Sequence, residues 1–128
     1  MKPITLLKFE GLAVLVISII SYQQLGYSWW LFALLFLAPD LFILGYLLNK
    51  ETGAVIYNIG HTYSVVVCIG ILAWVYHQPI GLSISLIWAA HIGFDRLLGY
   101  GLKYTSGFKN THLQGIDLTK VPEDITRP

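Results

Sequence analysis

Two histidines and two aspartates stand in this chain where charged groups are costly. Asp40, His61, His91 and Asp95 each interrupt a long apolar run, in a sequence of 128 residues of which only 12% are Asp, Glu, Lys or Arg. An ionisable group buried in hydrocarbon costs at least about 2.5–3.5 kcal/mol, so each needs a physical reason to be there. His91 and Asp95 are spaced i,i+4 and share one face of a helix. Imidazole nitrogens and carboxylate oxygens are the ligand atoms of zinc, iron and manganese. The same groups also move protons, so Asp40 and His61 form an acid–base pair if no metal is held. The set therefore serves two chemistries, and both make Asp40, His61, His91 and Asp95 the candidate catalytic residues.

Four apolar stretches must position these groups. The first helix is expected from about Ile4 to Gln23, the second from Trp29 to Leu48, the third from Ala54 to Tyr76 and the fourth from Ile80 to Tyr100. Each approaches the roughly 20 residues that span a hydrocarbon core at 1.5 Å per residue. The turns between them, Leu25–Ser28, Asn49–Gly53 and His77–Pro79, are short enough to force antiparallel neighbours. The expected fold is an all-α membrane protein of four transmembrane helices, an up-down-up-down bundle over residues 1–104. A cytoplasmic loop and tail follow over 105–128. Measured from the cytoplasmic helix ends, Glu10, Asp40, His61 and Asp95 lie roughly 9–12 Å deep, with His91 one turn deeper. All four helices thus bring a titratable residue to one level, and their outer halves contain none.

Composition agrees. Hydrophobic residues make up 55% of the chain, more than a small soluble domain can hide behind its large surface. The net charge of +1 excludes the strongly basic footprint of a nucleic-acid binder. One cysteine, Cys68, allows no internal disulfide and no cysteine-rich metal site. The amino-terminal run does not read as a cleaved signal, because Glu10 interrupts the basic region and Ser21–Gln24 offers no small-x-small pattern. All eight lysines and arginines fall on one side of the expected bundle, which places both termini in the cytoplasm of a cell membrane. Tyr22, Tyr27, Trp29, Trp30, Trp74 and Tyr76 gather at the opposite interface as an aromatic belt.

Local features bear on the cluster. Pro39 frees the carbonyl of Leu35 and is expected to kink the second helix beside Asp40. Gly93 and Gly99 thin the fourth helix for a close neighbour. Tyr57, Asn58 and His61 form a polar stripe on the third. Arg96 points about 100° away from Asp95 and is expected to pair with Glu10 or reach lipid phosphates. Glu10, Arg96, Tyr100, Lys103 and His112 are the candidate binding residues, with His112 swinging in from the loop after the fourth helix as a further ligand or proton shuttle.

The segments Lys8–Ala13, Trp29–Asp40, Tyr57–Tyr63, Ala90–Tyr104, Gly107–Lys109 and Thr111–Leu113 resemble a bacterial membrane family known as domain of unknown function 4260. The resemblance covers nearly everything from Leu7 to Leu113. It implies a fold and a bacterial inner-membrane setting but no activity. Its motifs fall on Glu10, Asp40, His61, His91, Asp95, Arg96, Tyr100, Lys103 and His112. Where the family carries a short polar residue soon after the Pro-Asp pair, this chain has Leu41, Phe42 and Ile43, which narrows any cavity there.

Three functions remain open. One is an intramembrane enzyme, metal-assisted or acid–base, acting on a lipid or other apolar small molecule. Another is a transporter, which would need a homo-oligomer because four helices make a narrow path. The third is a structural or partner-binding membrane protein whose polar groups join helices, each worth roughly 0.6–2 kcal/mol.

Overall fold

A computed structural model describes residues 2–102. They are helical and contain no strand: α1 Pro3–Leu25, α2 Trp29–Phe36, a 3-10 segment Ala38–Leu47, α3 Lys50–Gly60, α4 Tyr63–Val75 and α5 Pro79–Leu98. The loop and tail expected after Tyr104 lie outside the described residues.

Two of the four expected helices are not continuous. The second stops at Phe36 because Pro39 has no N–H to donate and its ring collides with the carbonyl four residues back. The chain continues as a 3-10 helix, in which the Asp40 N–H donates to the Leu37 carbonyl at 3.2 Å. Ten residues is long for this conformation, which usually persists for three or four and often marks a functional segment. The third breaks at His61 and Thr62, and its two halves meet at a bend of 42°. Its start also differs. Asn49 accepts a hydrogen bond from the Thr52 N–H at 2.7 Å, a side-chain N-cap, so Lys50–Gly53 form the first helical turn rather than a loop.

Contacts across the helices show which pairs run antiparallel. Gly11 of α1 lies against Gly93 and Arg96 of α5, while Gly99 lies beside Lys8. A Cβ on Gly11 would come within 2.6 Å of the Arg96 Cβ and 2.7 Å of the Gly93 carbonyl oxygen, and a Cβ on Gly93 within 2.6 Å of the Gly11 oxygen. Two glycines thus face each other where the backbones cross, the small-residue contact that lets helices pack closely in lipid. Gly99 does something else: at φ 94° it is the left-handed C-cap that ends α5. Gly70 against Ser85 and Gly81 against Ala73 make α4 antiparallel to α5. Phe42 against Gly60 and Tyr46 against Gly53 do the same for the 3-10 segment and α3.

The centre of the molecule is α5, which packs on α1, α2 and α4. Its buried residues include Ile87, Ala90, His91, Ile92 and Gly93. The outer elements are apolar on their exposed sides, with Ile17, Leu34, Leu41 and Leu44 each at least 60% exposed. A bilayer, not water, suits such a surface. By length and composition Pro3–Leu25 and Trp29–Leu47 can each cross a membrane, and the bent pair α3–α4 makes a third span if it counts as one. The last helix, α5, is not among them, carrying His91, Asp95 and Arg96 in its second half. A helix shielded by its neighbours has less need of an apolar exterior.

Candidate metal centre

Asp40, His61, His91 and Asp95 come together although they belong to three separate elements. Each arrives by a different local device. The Pro39 break turns α2 into the 3-10 segment and places Asp40 in its first turn. The α3–α4 bend leaves His61 at the C-cap of α3, with φ −124° and ψ 20°. Helix periodicity alone aligns His91 with Asp95.

The distances define a compact polyhedron. His91 Nε2 lies 3.1 Å from Asp95 Oδ2, 3.2 Å from Asp40 Oδ1 and 3.3 Å from His61 Nε2. His61 Nε2 lies 3.4 Å from Asp40 Oδ1 and 3.6 Å from Asp95 Oδ2. The remaining pair is within the 4.8 Å that encloses all four ligand atoms. Four tetrahedral ligands at the 2.0–2.1 Å bond lengths of zinc are separated by about 3.3–3.4 Å. Five of the six edges, at 3.1–3.6 Å, lie within about 0.3 Å of that spacing before any ion draws them in.

The histidines are buried, at 3% and 2% exposure, whereas the Asp95 side chain is 18% and the Asp40 side chain 45% exposed. Asp40 is therefore the side of the cluster open to its surroundings. His61 is oriented on its far side: the Nδ1–H donates to the Tyr57 carbonyl at 2.9 Å, and the ring stacks on that of Tyr57 with centroids 3.8 Å apart. With its proton on Nδ1, neutral His61 presents a bare lone pair at Nε2, the arrangement in which histidines bind metals. The Phe36 and His61 rings lie edge-on to His91, with centroids 5.3 and 5.2 Å away.

The bend that delivers His61 is held by α5. The Trp88 indole N–H donates to the Gly60 carbonyl at 2.6 Å, and Arg96 Nη2 donates to the His61 carbonyl at 3.3 Å. A helix that ends inside a bundle leaves carbonyls without partners, and these two side chains supply them. The Arg96 guanidinium also lies over the Tyr63 ring, 5.2 Å from its centroid. Trp88 is not among the candidate residues read from the sequence. Its position one turn before His91, with an indole N–H that needs an acceptor when enclosed, was the signal available.

Other expected residues stand apart. Glu10 is exposed and belongs to no part of the cluster, so α1 contributes none of the four ligand atoms. Among the described residues no ion pair joins it to Arg96, which turns instead toward the bend. Tyr100 is exposed just beyond α5, its N–H donating to the Asp95 carbonyl at 2.8 Å. Lys103 and His112 lie outside the described residues. Cys68 is a free, exposed thiol.

A family model described as domain of unknown function, DUF4260, matches residues 4–116. No curated protein and no solved structure matches the chain.

Proposed function

The chain belongs to the DUF4260 family, and we propose that it is a multi-pass membrane protein whose Asp40, His61, His91 and Asp95 hold one divalent metal, zinc foremost, near the cytoplasmic leaflet. The observation that carries this reading is the meeting of four ligand atoms, two imidazole nitrogens and two carboxylate oxygens, within 4.8 Å of one another. Two carboxylates within 4.8 Å repel, more strongly away from water, and the lone pair of His61 Nε2 faces both. A cation at their centre turns each of these repulsions into an attraction. The tetrahedral spacing, the buried imidazoles and the Tyr57 hydrogen bond behind His61 all suit that cation.

A divalent ion at this place supplies Lewis-acid polarisation of an oxygen or a bound water made acidic enough to attack. Catalytic zinc keeps a position open to substrate, whereas four protein ligands close it. Asp40 is the ligand best placed to give way, being 45% exposed and carried on a 3-10 segment rather than an α-helix. His61, His91 and Asp95 would then hold the ion, and the Asp40 carboxylate would be available beside it as a base. We therefore favour an enzyme acting on a lipid-phase molecule from the cytoplasmic side, with both termini in the cytoplasm.

Elemental analysis and cobalt titration of the detergent-purified protein test the metal. One ion per chain is expected, with a tetrahedral cobalt spectrum that disappears in His61→Ala and His91→Ala. A protein that takes up neither zinc nor cobalt in micromolar titrations would sink the reading. The cluster would then serve as interhelical glue, its imidazoles and carboxylates joining the three elements.

A further inference from the structure

Beside the cluster lies a cavity of about 170 Å³ lined by Leu35, Ala38, Pro39, Phe42, Ile84 and Trp88. Among its lining side chains only Trp88 carries a polar group, and that indole N–H is already committed to the Gly60 carbonyl. A space of roughly 150 Å³ walled by aliphatic and aromatic groups is large enough for a benzene-sized apolar group, and this one is open on one side. Pro39 adjoins Asp40 in the chain and Trp88 precedes His91 by one turn, so the lining of the cavity and the cluster share two elements, the 3-10 segment and α5. The span that supplies Leu35, Ala38, Pro39 and Phe42 is apolar enough to cross a membrane and also exposes Leu34, Leu37 and Leu41, at 75%, 64% and 65%.

We propose that this cavity receives the hydrocarbon chain of a single-chain lipid whose oxygen-bearing head reaches the metal at the position Asp40 vacates. The proposal rests on the metal site described under the proposed function and adds the class of molecule it takes. The exposed leucines decide the occupant. In a bilayer that span is bathed in acyl chains, and a chain drawn from beside it into the cavity brings its polar end toward Asp40. Phe42 and Trp88, with ring centroids 6.0 Å apart, wall one side.

Alkyl hydroxamates test this, because the hydroxamate head binds the metal and the chain can be varied. With cobalt-loaded protein in nanodiscs, octanohydroxamate should perturb the cobalt spectrum at a concentration at least tenfold lower than acetohydroxamate. Each methylene moved from water into an apolar site favours binding roughly fourfold, and only some of the six added carbons need fit. Ile84→Phe, which fills the cavity from α5, should cut the preference to the level set by bilayer partitioning alone. Leu35→Phe does the same from α2 if Ile84→Phe fails to fold, as judged by its cobalt band. No chain-length preference, or a preference equal in wild type and variants, overturns the cavity proposal and leaves the metal site standing. A protein with no cobalt band at all overturns both. If octanohydroxamate acts only by converting a dimer to a monomer, the groove belongs to a second copy of the chain, and the proposal is wrong.

Discussion

His61 Nε2 and His91 Nε2 face each other at 3.3 Å across 30 residues of sequence. Imidazole nitrogens meet at this distance when they share a proton or a metal, because two lone pairs alone repel. The Tyr57 carbonyl already takes the His61 Nδ1–H, which leaves Nε2 bare in the neutral ring. Changes to outer-shell partners weaken a metal site about 10–100-fold, and loss of a ligand should exceed that. His61→Ala and His91→Ala should each weaken zinc at least about 100-fold by competition with a chelator. Asp40→Ala should retain the ion with a smaller loss, since the carboxylate it removes is the most exposed of the four.

Arg96 holds the site through the backbone carbonyl of His61. As a positioning residue, it should matter for metal affinity without being a ligand. Arg96→Gln should weaken zinc about 10–100-fold, the range of outer-shell changes, while Arg96→Lys restores much of the loss. Glu10→Gln should change nothing, because Glu10 is exposed and outside the cluster. Equal effects of Arg96→Gln and Glu10→Gln in the same titration would show that the bend needs no support from α5.

Trp88→Phe separates the hydrogen bond from the bulk. The Gly60 carbonyl would lose its 2.6 Å donor while the ring contact with Phe42 largely remains. Leaving a buried carbonyl without a partner costs about 1–3 kcal/mol. Thermal unfolding in detergent should register that loss, and zinc should stabilise the variant less than wild type. An unchanged melting temperature would mean that water reaches the carbonyl at the bend.

The α1–α5 crossing makes its own demand. Gly11→Ala places a methyl 2.6 Å from the Arg96 Cβ and 2.7 Å from a backbone oxygen, neither of which can yield without moving a helix. Overpacking of this kind costs about 1–3 kcal/mol. Gly70→Ala is the control, because its Cβ meets nothing closer than 3.5 Å. Melting curves should show Gly11→Ala clearly destabilised and Gly70→Ala close to wild type.

Reporter fusions address orientation. All basic residues fall on the cytoplasmic side in the expected topology, so a fusion after Pro128 should be active only as a cytoplasmic reporter, and one inserted at His77 only as an external one. The reverse pattern would move the cluster to the opposite leaflet.

Much of this was legible in the sequence, and for identifiable reasons. Apolar runs near the length of a membrane span declare themselves by composition, because a continuous apolar run of about 20 residues satisfies its own backbone in lipid as a helix. A proline inside such a run must disturb it, so the break near Asp40 was readable from Pro39. The i,i+4 spacing of His91 and Asp95 guaranteed a shared face. Tertiary structure decided the rest. No local signal of similar strength marks the bend at His61, since Gly60-His61-Thr62 holds no proline and its carbonyls are satisfied by Trp88 and Arg96, 28 and 35 residues away. Depth counting also placed Glu10 level with the others, and depth does not say which way a side chain turns. That direction is set by how each helix rolls against its neighbours. On α1 it is fixed by Gly11, which puts the backbone against α5 and leaves Glu10 outside.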